Sequence, residues 1–487
     1  MWVIQSWLRM AEFTTEHPFV GRDQELASLL RILRRTGRTG AGAMIAMRGR
    51  RRVGKSRLVE ELIARSGCRS VFYTPVLGPS GQELDRFLTA VSRSDAPSAE
   101  QVKRGAAARS WEGALTLAVQ GATRRAPVIL VIDELPYLVA KEPTIEAVLQ
   151  LVWDRTFERL PVMVILVGSD RAMMEALTEV GRPLYDRARE MIVRPLDPAT
   201  IGGLLALPAA DALDAYAVIG GFPVLALEWG RGRSLFEYLA EALSDPTSFL
   251  LVSAERALSA ELPADIQARA VLEAIGGDVR AHGAIMDRTG LPQTTLARTL
   301  TTLVQKGIVR WRTPYSTAPA SKGRLYVVVD PYLRFYLRFL VEAADTIERG
   351  RGELVLRAVQ TAWPAFLGRA IEPIVAAALE RMLPHESLGD ARYVGSFWNR
   401  THTVEVDLVG GDTLPRARQI GFVGEVKWRQ RGAFTRADAV ALIAQRSAVP
   451  GADANTALLG VSRQGFEPHA GLDVALGPDD LMSAYQA

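Results

Sequence analysis

The chain has 487 residues, of which 48% are hydrophobic and 23% charged, and its formal net charge is +4. One hydrophobic core rarely organises more than about 250–300 residues, so we expect three or four domains. The single cysteine, Cys68, excludes an intrachain disulfide framework and a cysteine-based zinc site. The small net charge does not by itself indicate a polyanionic partner. This composition is typical of a globular protein in a reducing compartment, and we expect a cytoplasmic location.

Residues 1–18 precede the first ordered pattern, which begins at Phe19, and they are predicted to be an N-terminal extension. Their apolar start lacks a basic segment and a clear small-residue cleavage site, so a signal peptide is not expected. Met1 and Met10 are alternative start residues. No run approaches the roughly 18 apolar residues that a membrane span needs, so we expect no membrane partner.

A glycine-rich loop is the most specific motif of the chain. Residues 49–56 read GRRRVGKS, which fits the Walker A pattern G-x-x-x-x-G-K-[ST] without a mismatch. Gly49 and Gly54 permit a tight turn, Lys55 brings a charge to the β- and γ-phosphates, and the Ser56 hydroxyl can ligate Mg²⁺. A short apolar run precedes the loop and a helical pattern follows it, which together make an anion site. The predicted nucleotide-binding residues are Gly49, Arg50, Arg51, Arg52, Val53, Gly54, Lys55, Ser56 and Arg57.

Residues 128–133 read VILVID, which is a buried-strand pattern that ends in a carboxylate. Downstream of a Walker A loop this is a Walker B pattern, in which Asp133 holds Mg²⁺ and Glu134 orients the attacking water. Ser169 follows another apolar strand and is placed to sense the γ-phosphate. Arg187 is a candidate arginine finger, and a surface salt-bridging arginine is the alternative. Apolar strands that alternate with helices predict an α/β fold with a parallel sheet, over residues 19–197.

The middle of the chain is predicted to be helical. Residues 198–262 have the pattern of a helical lid with a Gly-Gly-Phe-Pro turn, and residues 263–330 have that of a winged helix-turn-helix. Residues 288–329 contain no Asp or Glu but several Arg and Lys, which suits phosphate contacts to duplex DNA. A winged helix that contacts protein is the alternative. The candidate DNA-binding residues are Thr294, Thr295, Arg298, Arg310, Arg312, Lys322 and Arg324.

The C-terminal segment, residues 331–487, contains two strand patterns that carry acidic residues. Asp407 lies on the first strand, and Glu425 and Lys427 lie two apart on one face of the second. This is the arrangement of a PD-(D/E)XK nuclease, in which Asp407 and Glu425 bind Mg²⁺ and Lys427 holds or activates water. Glu372, on a preceding helix, matches the acid that often completes such sites. A restriction-endonuclease-like α/β domain is therefore expected.

Taken together, these motifs resemble the archaeal-type P-loop ATPases of the STAND-related AAA+ group, whose C-terminal domain has no known function. The resemblance covers nearly the whole chain after Phe19. Asp186 replaces the usual glycine before Arg187, and Arg50 replaces a proline of the loop. The resemblance implies ATP hydrolysis and association with nucleic acid. The matching segments are residues 19–26 (FVGRDQEL), 51–56, 133–134, 183–187, 220–223, 330–340 and 425–428.

These patterns lead to the hypothesis of an ATP-hydrolysing, DNA-associated protein that uses ATP and Mg²⁺. ATP is favoured over GTP because no N-K-x-D-type guanine motif is apparent. We expect hydrolysis to move the winged helix relative to the nuclease-like domain. One alternative is a STAND-like nucleotide switch with a degenerate nuclease domain, and another is an ATP-gated, Mg²⁺-dependent DNA endonuclease. A homo-oligomer is compatible with all three.

Overall fold

The computed structural model describes residues 19–76, 82–262, 265–278, 280–319 and 323–486. The predicted extension, residues 1–18, and the predicted DNA contact Lys322 lie outside these residues. The chain separates into two compact units, of which the first ends at Pro195 and the second begins at Leu196. The segments predicted as lid, winged helix and nuclease-like domain all fall in the second unit.

The first unit is built on a five-stranded sheet in the order β2-β3-β4-β1-β5, and every pair in it is parallel. The β3 and β4 strands are buried along their whole length, as expected for strands that are covered on both faces. The predicted α/β fold with a parallel sheet is thus confirmed. The strands are β1 (Ala43–Arg48), β2 (Arg69–Tyr73), β3 (Val128–Ile132), β4 (Val162–Gly168) and β5 (Ala188–Ile192).

Helices surround this sheet, and their apolar faces supply the core. The first helix buries Leu26, Leu29 and Leu33 at the three- and four-residue spacing that predicted it. Tyr73, Phe87 and Trp111 form an aromatic cluster with ring centroids 5.3–6.3 Å apart. The helices described in this unit are Asp23–Thr39, Lys55–Ser66, Glu83–Arg93, Ala99–Lys103, Trp111–Ala118, Leu135–Lys141, Ile145–Arg155 and Arg171–Ala176, with a 3₁₀ turn at Phe157–Arg159.

The second unit begins with a helical segment and continues into a helix-turn-helix with a hairpin. Gly290 adopts a φ of 67° and ends one helix of the motif, and Leu296, Leu300 and Leu303 bury one face of the next. The hairpin is antiparallel and consists of β6 (Val309–Arg312) and β7 (Leu325–Val328). The helices are Pro198–Leu205, Ala209–Ile219, Pro223–Trp229, Leu235–Ser244, Phe249–Glu261, Ile266–Gly276, His282–Thr289 and Gln293–Gln305.

The C-terminal part carries a five-stranded mixed sheet in the order β12-β11-β10-β9-β8. The β8, β9 and β10 strands pair antiparallel, whereas β10, β11 and β12 pair parallel. The strands are β8 (Tyr393–Trp398), β9 (Glu405–Gly411), β10 (Ile420–Lys427), β11 (Ala457–Ser462) and β12 (Val474–Leu476). The other elements are the helices Pro331–Phe335, Ala344–Glu348, Gly352–Met382, Arg436–Arg446 and Pro478–Ser483, a π-helical turn at Tyr336–Leu340, and 3₁₀ turns at Val341–Ala343 and Glu386–Leu388.

The helix Gly352–Met382 is 31 residues long, and it carries the predicted acid Glu372. Within the part of the chain that the structure describes, this helix is long and apolar enough to cross a membrane by length and composition. Its side chains Val359, Leu367 and Ile371 are fully buried in the core of the second unit. That packing is typical of a central helix in a globular unit.

A single hydrophobic core joins the three predicted parts of the second unit. It extends from Leu196 through Leu300 of the helix-turn-helix to Phe422 in β10 and Met482 near the end of the chain. Separating these parts would expose apolar area at a cost of about 25 cal/mol per Å². The expectation that hydrolysis moves the winged helix relative to the nuclease-like domain stays a prediction, and such a movement would have to disrupt part of this shared core.

A buried carboxylate links the helical segment to the C-terminal sheet. Asp214, on the helix Ala209–Ile219, is only 4% exposed and accepts a hydrogen bond from Trp428 Nε1 at 2.7 Å. Its other oxygen accepts from Gln430 Nε2 at 3.3 Å and lies 3.1 Å from Arg463 Nη2. Burial raises the pKa of Asp214, while the Arg463 charge lowers it. The carboxylate thus ties β10 and the segment after β11 to the helical segment.

We predict that Asp214→Ala lowers the free energy of unfolding of the second unit by about 3 kcal/mol, because it leaves the Trp428 indole N–H without its acceptor and removes the buried carboxylate that faces Arg463. Asp211→Ala is the matched control. Asp211 is half exposed and pairs with the same Arg463, so its loss should cost no more than about 1 kcal/mol. Urea denaturation of both variants measures the difference, and equal midpoints would contradict the role of Asp214.

Candidate functional site

The phosphate-binding loop follows β1 and leads directly into the helix Lys55–Ser66. Gly54 adopts a φ of 93°, which places the loop in a left-handed conformation at the N-terminus of the helix. A Cβ atom on Gly49 would lie 2.3 Å from the Val193 carbonyl oxygen, so no larger residue fits there. Lys55 Nζ donates to the Gly49 and Arg50 carbonyl oxygens at 2.8 and 3.0 Å. The ammonium is therefore held inside the curve of the loop, at an anion-binding helix end.

The loop is joined to the end of β3 by a hydrogen bond. Ser56 Oγ donates to Asp133 Oδ2 at 2.8 Å, and Asp133 is buried. Burial raises the pKa of Asp133, the Ser56 hydrogen bond lowers it, and the neighbouring Glu134 charge raises it. A hydroxyl and a carboxylate in contact are a suitable pair of oxygen ligands for Mg²⁺. The two residues that were predicted to hold this ion thus lie together.

Glu134 and Ser169 also lie together, because β4 is the strand next to β3. Ser169 Oγ donates to Glu134 Oε2 at 2.8 Å, and the Ser169 backbone N–H approaches the same oxygen at 3.3 Å. Glu134 adopts φ 56° and ψ 47°, a left-handed conformation that is strained for a residue with a side chain. This conformation is maintained at the start of the helix Leu135–Lys141, where it orients the carboxylate toward Ser169.

Arg187, the candidate finger, forms a two-point ion pair with Asp154. Its Nε and Nη2 atoms donate to the two carboxylate oxygens at 2.7 and 2.8 Å. The hydrogen bond to Asp154 raises the pKa of Arg187 further. Asp186 has a φ of 58°, a conformation that glycine adopts more easily. The structure therefore places Arg187 in the salt-bridged arrangement that the sequence left open as the alternative.

Arg22 contacts the backbone of the phosphate-binding loop, and the sequence did not predict this role. Its side chain is buried, and Nη2 donates to the Val53 carbonyl oxygen at 2.8 Å. The guanidinium also pairs with Glu25 at 3.2 Å. The only sequence signal was its place in the segment FVGR ahead of the first helix. The buried hydrogen bond fixes the middle of the phosphate-binding loop.

The remaining arginines of the loop have separate environments. The Arg51 guanidinium donates to the Tyr137 hydroxyl on the helix after β3. Arg52 has a φ of 66°. Arg57 faces Glu60 and Glu61 on its own helix at 3.7 and 3.5 Å. Arg57 is thus engaged along the helix surface, in pairs that are worth only a few tenths of a kcal/mol each.

On the helix-turn-helix, Thr294 and Arg298 are exposed on the helix Gln293–Gln305, and Thr295 is half-buried. The Arg324 guanidinium lies 4.6 Å from the ring centroid of Trp311, which is 44% exposed. An exposed Arg–Trp pair on the hairpin is suited to contact nucleic acid. The basic stretch without Asp or Glu, residues 288–329, included Arg324, but it did not predict that Trp311 is exposed.

Arg310 and Arg312, also predicted as DNA contacts, line a cavity that the hairpin shares with the C-terminal module. The Arg312 guanidinium donates to the Ser396 hydroxyl on β8. Burial lowers the pKa of Arg312, whereas the negative charge of Glu372 raises it. These two arginines therefore face the C-terminal module as well as belonging to the winged helix.

The structure brings the four predicted nuclease-like residues together. The Lys427 ammonium pairs with the Glu425 carboxylate on β10, and Asp407 accepts a hydrogen bond from the Val426 N–H at 2.9 Å. Burial raises the pKa of Asp407 to about 7, and the negative charges of Glu372 and Glu425 raise it in the same direction. Carboxylates at this spacing repel one another, and a cation would relieve the repulsion.

Neither acidic site contains a full set of protein ligands. In the described ranges, no group of three or more His, Cys, Asp or Glu residues is placed to hold a metal ion. Mg²⁺ usually keeps several waters and takes only one or two carboxylates from a protein, together with substrate phosphates. Ser56 with Asp133, and Asp407 with Glu425, fit that smaller ligand set.

The parallel sheet, the glycine loop and the acidic strand end define a P-loop ATPase-type domain joined to a helix-turn-helix. Three family models match separate parts of the chain. Residues 19–225 match an ATPase domain found predominantly in Archaea, and residues 268–313 match an IclR helix-turn-helix domain. Residues 336–440 match a model of archaeal and bacterial proteins of unknown function.

An uncharacterized protein of Methanocaldococcus jannaschii is 24% identical over 422 residues, which cover 84% of this chain and 88% of that protein. A Walker-type ATPase of Pyrococcus abyssi superposes with a TM-score of 0.45 at 17% identity, over 66% of this chain and 96% of that one. The ORC2 protein of Aeropyrum pernix gives a TM-score of 0.43 at 16% identity, over 71% of this chain and 97% of that one.

We predict that Arg22→Ala weakens nucleotide binding about tenfold, because the Val53 carbonyl loses a charge-assisted hydrogen bond of about 1.5–3 kcal/mol. Titration with a fluorescent ATP analogue measures the dissociation constant. Glu25→Ala is the control, since it removes the other partner of Arg22 but leaves the bond to the loop. Unchanged affinity in Arg22→Ala would show that the loop holds its shape without this support.

Proposed function

We propose that this protein binds and hydrolyses ATP with Mg²⁺, and that its nucleotide state is coupled to DNA binding by the second unit. The observation that carries the proposal is the pair of hydrogen bonds at one edge of the sheet. Ser56 contacts Asp133, and Ser169 contacts Glu134. Together with Lys55 in the loop, these residues provide the phosphate, metal and water functions of a P-loop site. The single cysteine supports a reducing location such as the cytoplasm.

The reaction assigns a separate task to each of these side chains. Lys55 and the loop N–H groups bind the β- and γ-phosphates, and Ser56 and Asp133 hold the metal ion. Bound Mg²⁺ would neutralise charge that develops on the phosphates. Glu134 orients the attacking water, and Ser169 fixes the Glu134 carboxylate. Arg187 can act as a finger only after it leaves Asp154, a change that a neighbouring copy of the chain would have to cause in a homo-oligomer.

We predict that Lys55→Ala and Glu134→Gln both lower ATP hydrolysis, by about 10²-fold or more. Lys55→Ala removes a charge from the phosphates and should weaken ATP binding. Glu134→Gln should leave ATP binding intact, because only the orientation of water is lost. Phosphate release and ATP affinity are measured for each. Arg65→Ala, which alters an exposed residue in the last turn of the same helix, is the control. Hydrolysis that survives both substitutions would exclude the proposal.

DNA binding is the second part of the proposal, and the exposed basic residues of the helix-turn-helix support it. We predict that charge reversal at Arg298 and Arg324 weakens binding of duplex DNA, and that it makes the affinity less sensitive to salt. Gel shifts over a range of salt concentrations measure both effects. Arg357→Glu, an exposed reversal on the long helix, controls for the change in net charge. If duplex DNA gives no gel shift at low salt, DNA binding by the helix-turn-helix is excluded.

A DNA endonuclease is a second candidate, and the order of elements in the C-terminal module favours it. A helix that carries Glu372 is followed by β8, β9 and β10, another helix and β11. Asp407 and the Glu425–Lys427 pair lie on adjacent strands of that sheet. This order and these residues resemble the core of PD-(D/E)XK nucleases. A STAND-like switch with a degenerate nuclease domain would instead turn over slowly and cleave nothing.

We predict that, if this module is a nuclease, Mg²⁺-dependent cleavage occurs on duplex, single-stranded or branched DNA and is lost in Asp407→Ala and in Lys427→Ala. Each assay is run with and without ATP. Asp412→Ala, on the loop after β9, is the matched acidic control. Cleavage that persists in both variants would come from a contaminant, and no cleavage of any substrate would favour the switch.

A further inference from the structure

A cavity lined by arginines lies between the helix-turn-helix and the C-terminal module, both within the second unit. Its guanidinium groups come from three separate elements, which are β6 and the helices Pro331–Phe335 and Gly352–Met382, and from the segment before the helix His282–Thr289. They belong to Arg280, Arg310, Arg312, Arg334 and Arg369. Two acidic residues, Asp278 and Glu372, are also present in the lining. Arg310 and Arg369 are exposed, so the cavity reaches the surface.

The charges of this cavity do not balance. Asp278 is paired with Arg369, with 3.0 Å between their charged atoms. Among the remaining lining residues, Arg280, Arg312 and Arg334 act on Glu372, which also lies close enough to Asp407 to raise the pKa of that carboxyl. Two carboxylates outside the lining add negative charge, because Glu380 acts on Arg310 and Asp330 acts on Arg334. The lining itself still carries five arginines against two acidic residues. Arg334 is directed by two backbone carbonyl oxygens, with Nη2 3.0 Å from that of Val328 and Nη1 3.4 Å from that of Ala370. Its position is therefore fixed by the backbone.

Clustered guanidinium groups are unfavourable in a poorly solvated space. Burial, together with the positive charge of Arg310, lowers the pKa of Arg334 to about 10. Arg312 experiences the same effect from Arg310 and Arg280. An anion in the cavity would remove this repulsion, and guanidinium forks match the oxygen geometry of phosphate particularly well.

The size of the cavity restricts which anion can enter. The space open to the centres of water molecules is about 40 Å³. One water needs about 10–15 Å³ on this measure, so the cavity has room for about three waters. A phosphate group is of this size, whereas a nucleoside is not. A terminal phosphate, which carries more negative charge than an internal phosphodiester, best offsets the excess of positive charge.

We propose that this cavity binds the terminal phosphate of a nucleic-acid strand, beside the carboxylate of Glu372. The proposal rests on the proposed association with DNA and adds a specific recognition site to it. It also gives Arg310 and Arg312 a different task from the one expected on the sequence. They hold a strand end within a cavity instead of contacting the backbone of a continuous duplex.

Calorimetric titration of the full chain tests this site, with Mg·ADP present in excess so that the P-loop cannot take up phosphate. The titrants are tetrathymidylates with a 5′-phosphate, with a 3′-phosphate and with neither, and inorganic phosphate alone. We expect one phosphorylated form to bind at least tenfold more tightly than the unphosphorylated strand. In the Arg280→Gln/Arg310→Gln variant we expect the ratio of the two affinities to fall to about one.

Arg298→Gln is the control that separates this proposal from DNA binding in general. It should weaken all three strands equally and leave the ratio unchanged. A thermal melt of the cavity variant checks folding, and we expect no loss of stability because repulsion is removed. The proposal is overturned if phosphorylated and unphosphorylated strands bind with equal affinity. It is also overturned if inorganic phosphate binds but the protein shows no preference for a phosphorylated strand. The proposal is overturned as well if the Arg280→Gln/Arg310→Gln variant keeps the preference for the phosphorylated strand.

Discussion

The hydrogen bond between Ser56 and Asp133 is the interaction on which the nucleotide site depends. It joins the loop after β1 to the end of β3, although β4 lies between these two strands in the sheet. The parallel sheet brings the carboxyl ends of all three strands to one edge. Ser169 therefore arrives beside Glu134, and the loop faces both acidic residues.

The second unit has a different kind of constraint, since its helical segment, winged helix and C-terminal sheet share one core. Asp214 adds a buried polar link between the first and the last of these parts. A response to nucleotide that reorients the winged helix would then also carry the C-terminal module with it. This explains how a helix-turn-helix residue, Arg312, can contribute to the surroundings of Glu372 and Asp407.

Much of the architecture could be predicted, because it depends on local patterns. The glycine loop, the apolar strands that end in Asp133 and Ser169, and the buried stripe at Leu296 and Leu300 all follow from spacing alone. The sequence also identified Glu425 and Lys427 as neighbours, because two residues along a strand return to the same face, and the PD-(D/E)XK pattern grouped Asp407 of the preceding strand with them.

The remaining features depend on contacts between residues far apart in the chain. Nothing local to Asp214 predicts that Trp428 and Arg463 approach it, and nothing local to Arg22 predicts its bond to Val53. Arg310 and Arg312 lie in the same basic, acid-free stretch of sequence as Arg298, yet the packing of the long helix places them in a cavity. A charge pattern shows that basic residues are near one another in sequence but not which surface they form.

The central claim is that the nucleotide at Lys55 controls the affinity of the second unit for DNA. Fluorescence anisotropy of labelled duplex DNA, with Glu134→Gln to prevent hydrolysis, compares the dissociation constant with Mg·ATP and with Mg·ADP. The account predicts a difference of about fivefold or more, and by linkage DNA must change the ratio of ATP to ADP affinities by the same factor. Identical dissociation constants in the two nucleotide states would contradict the coupling.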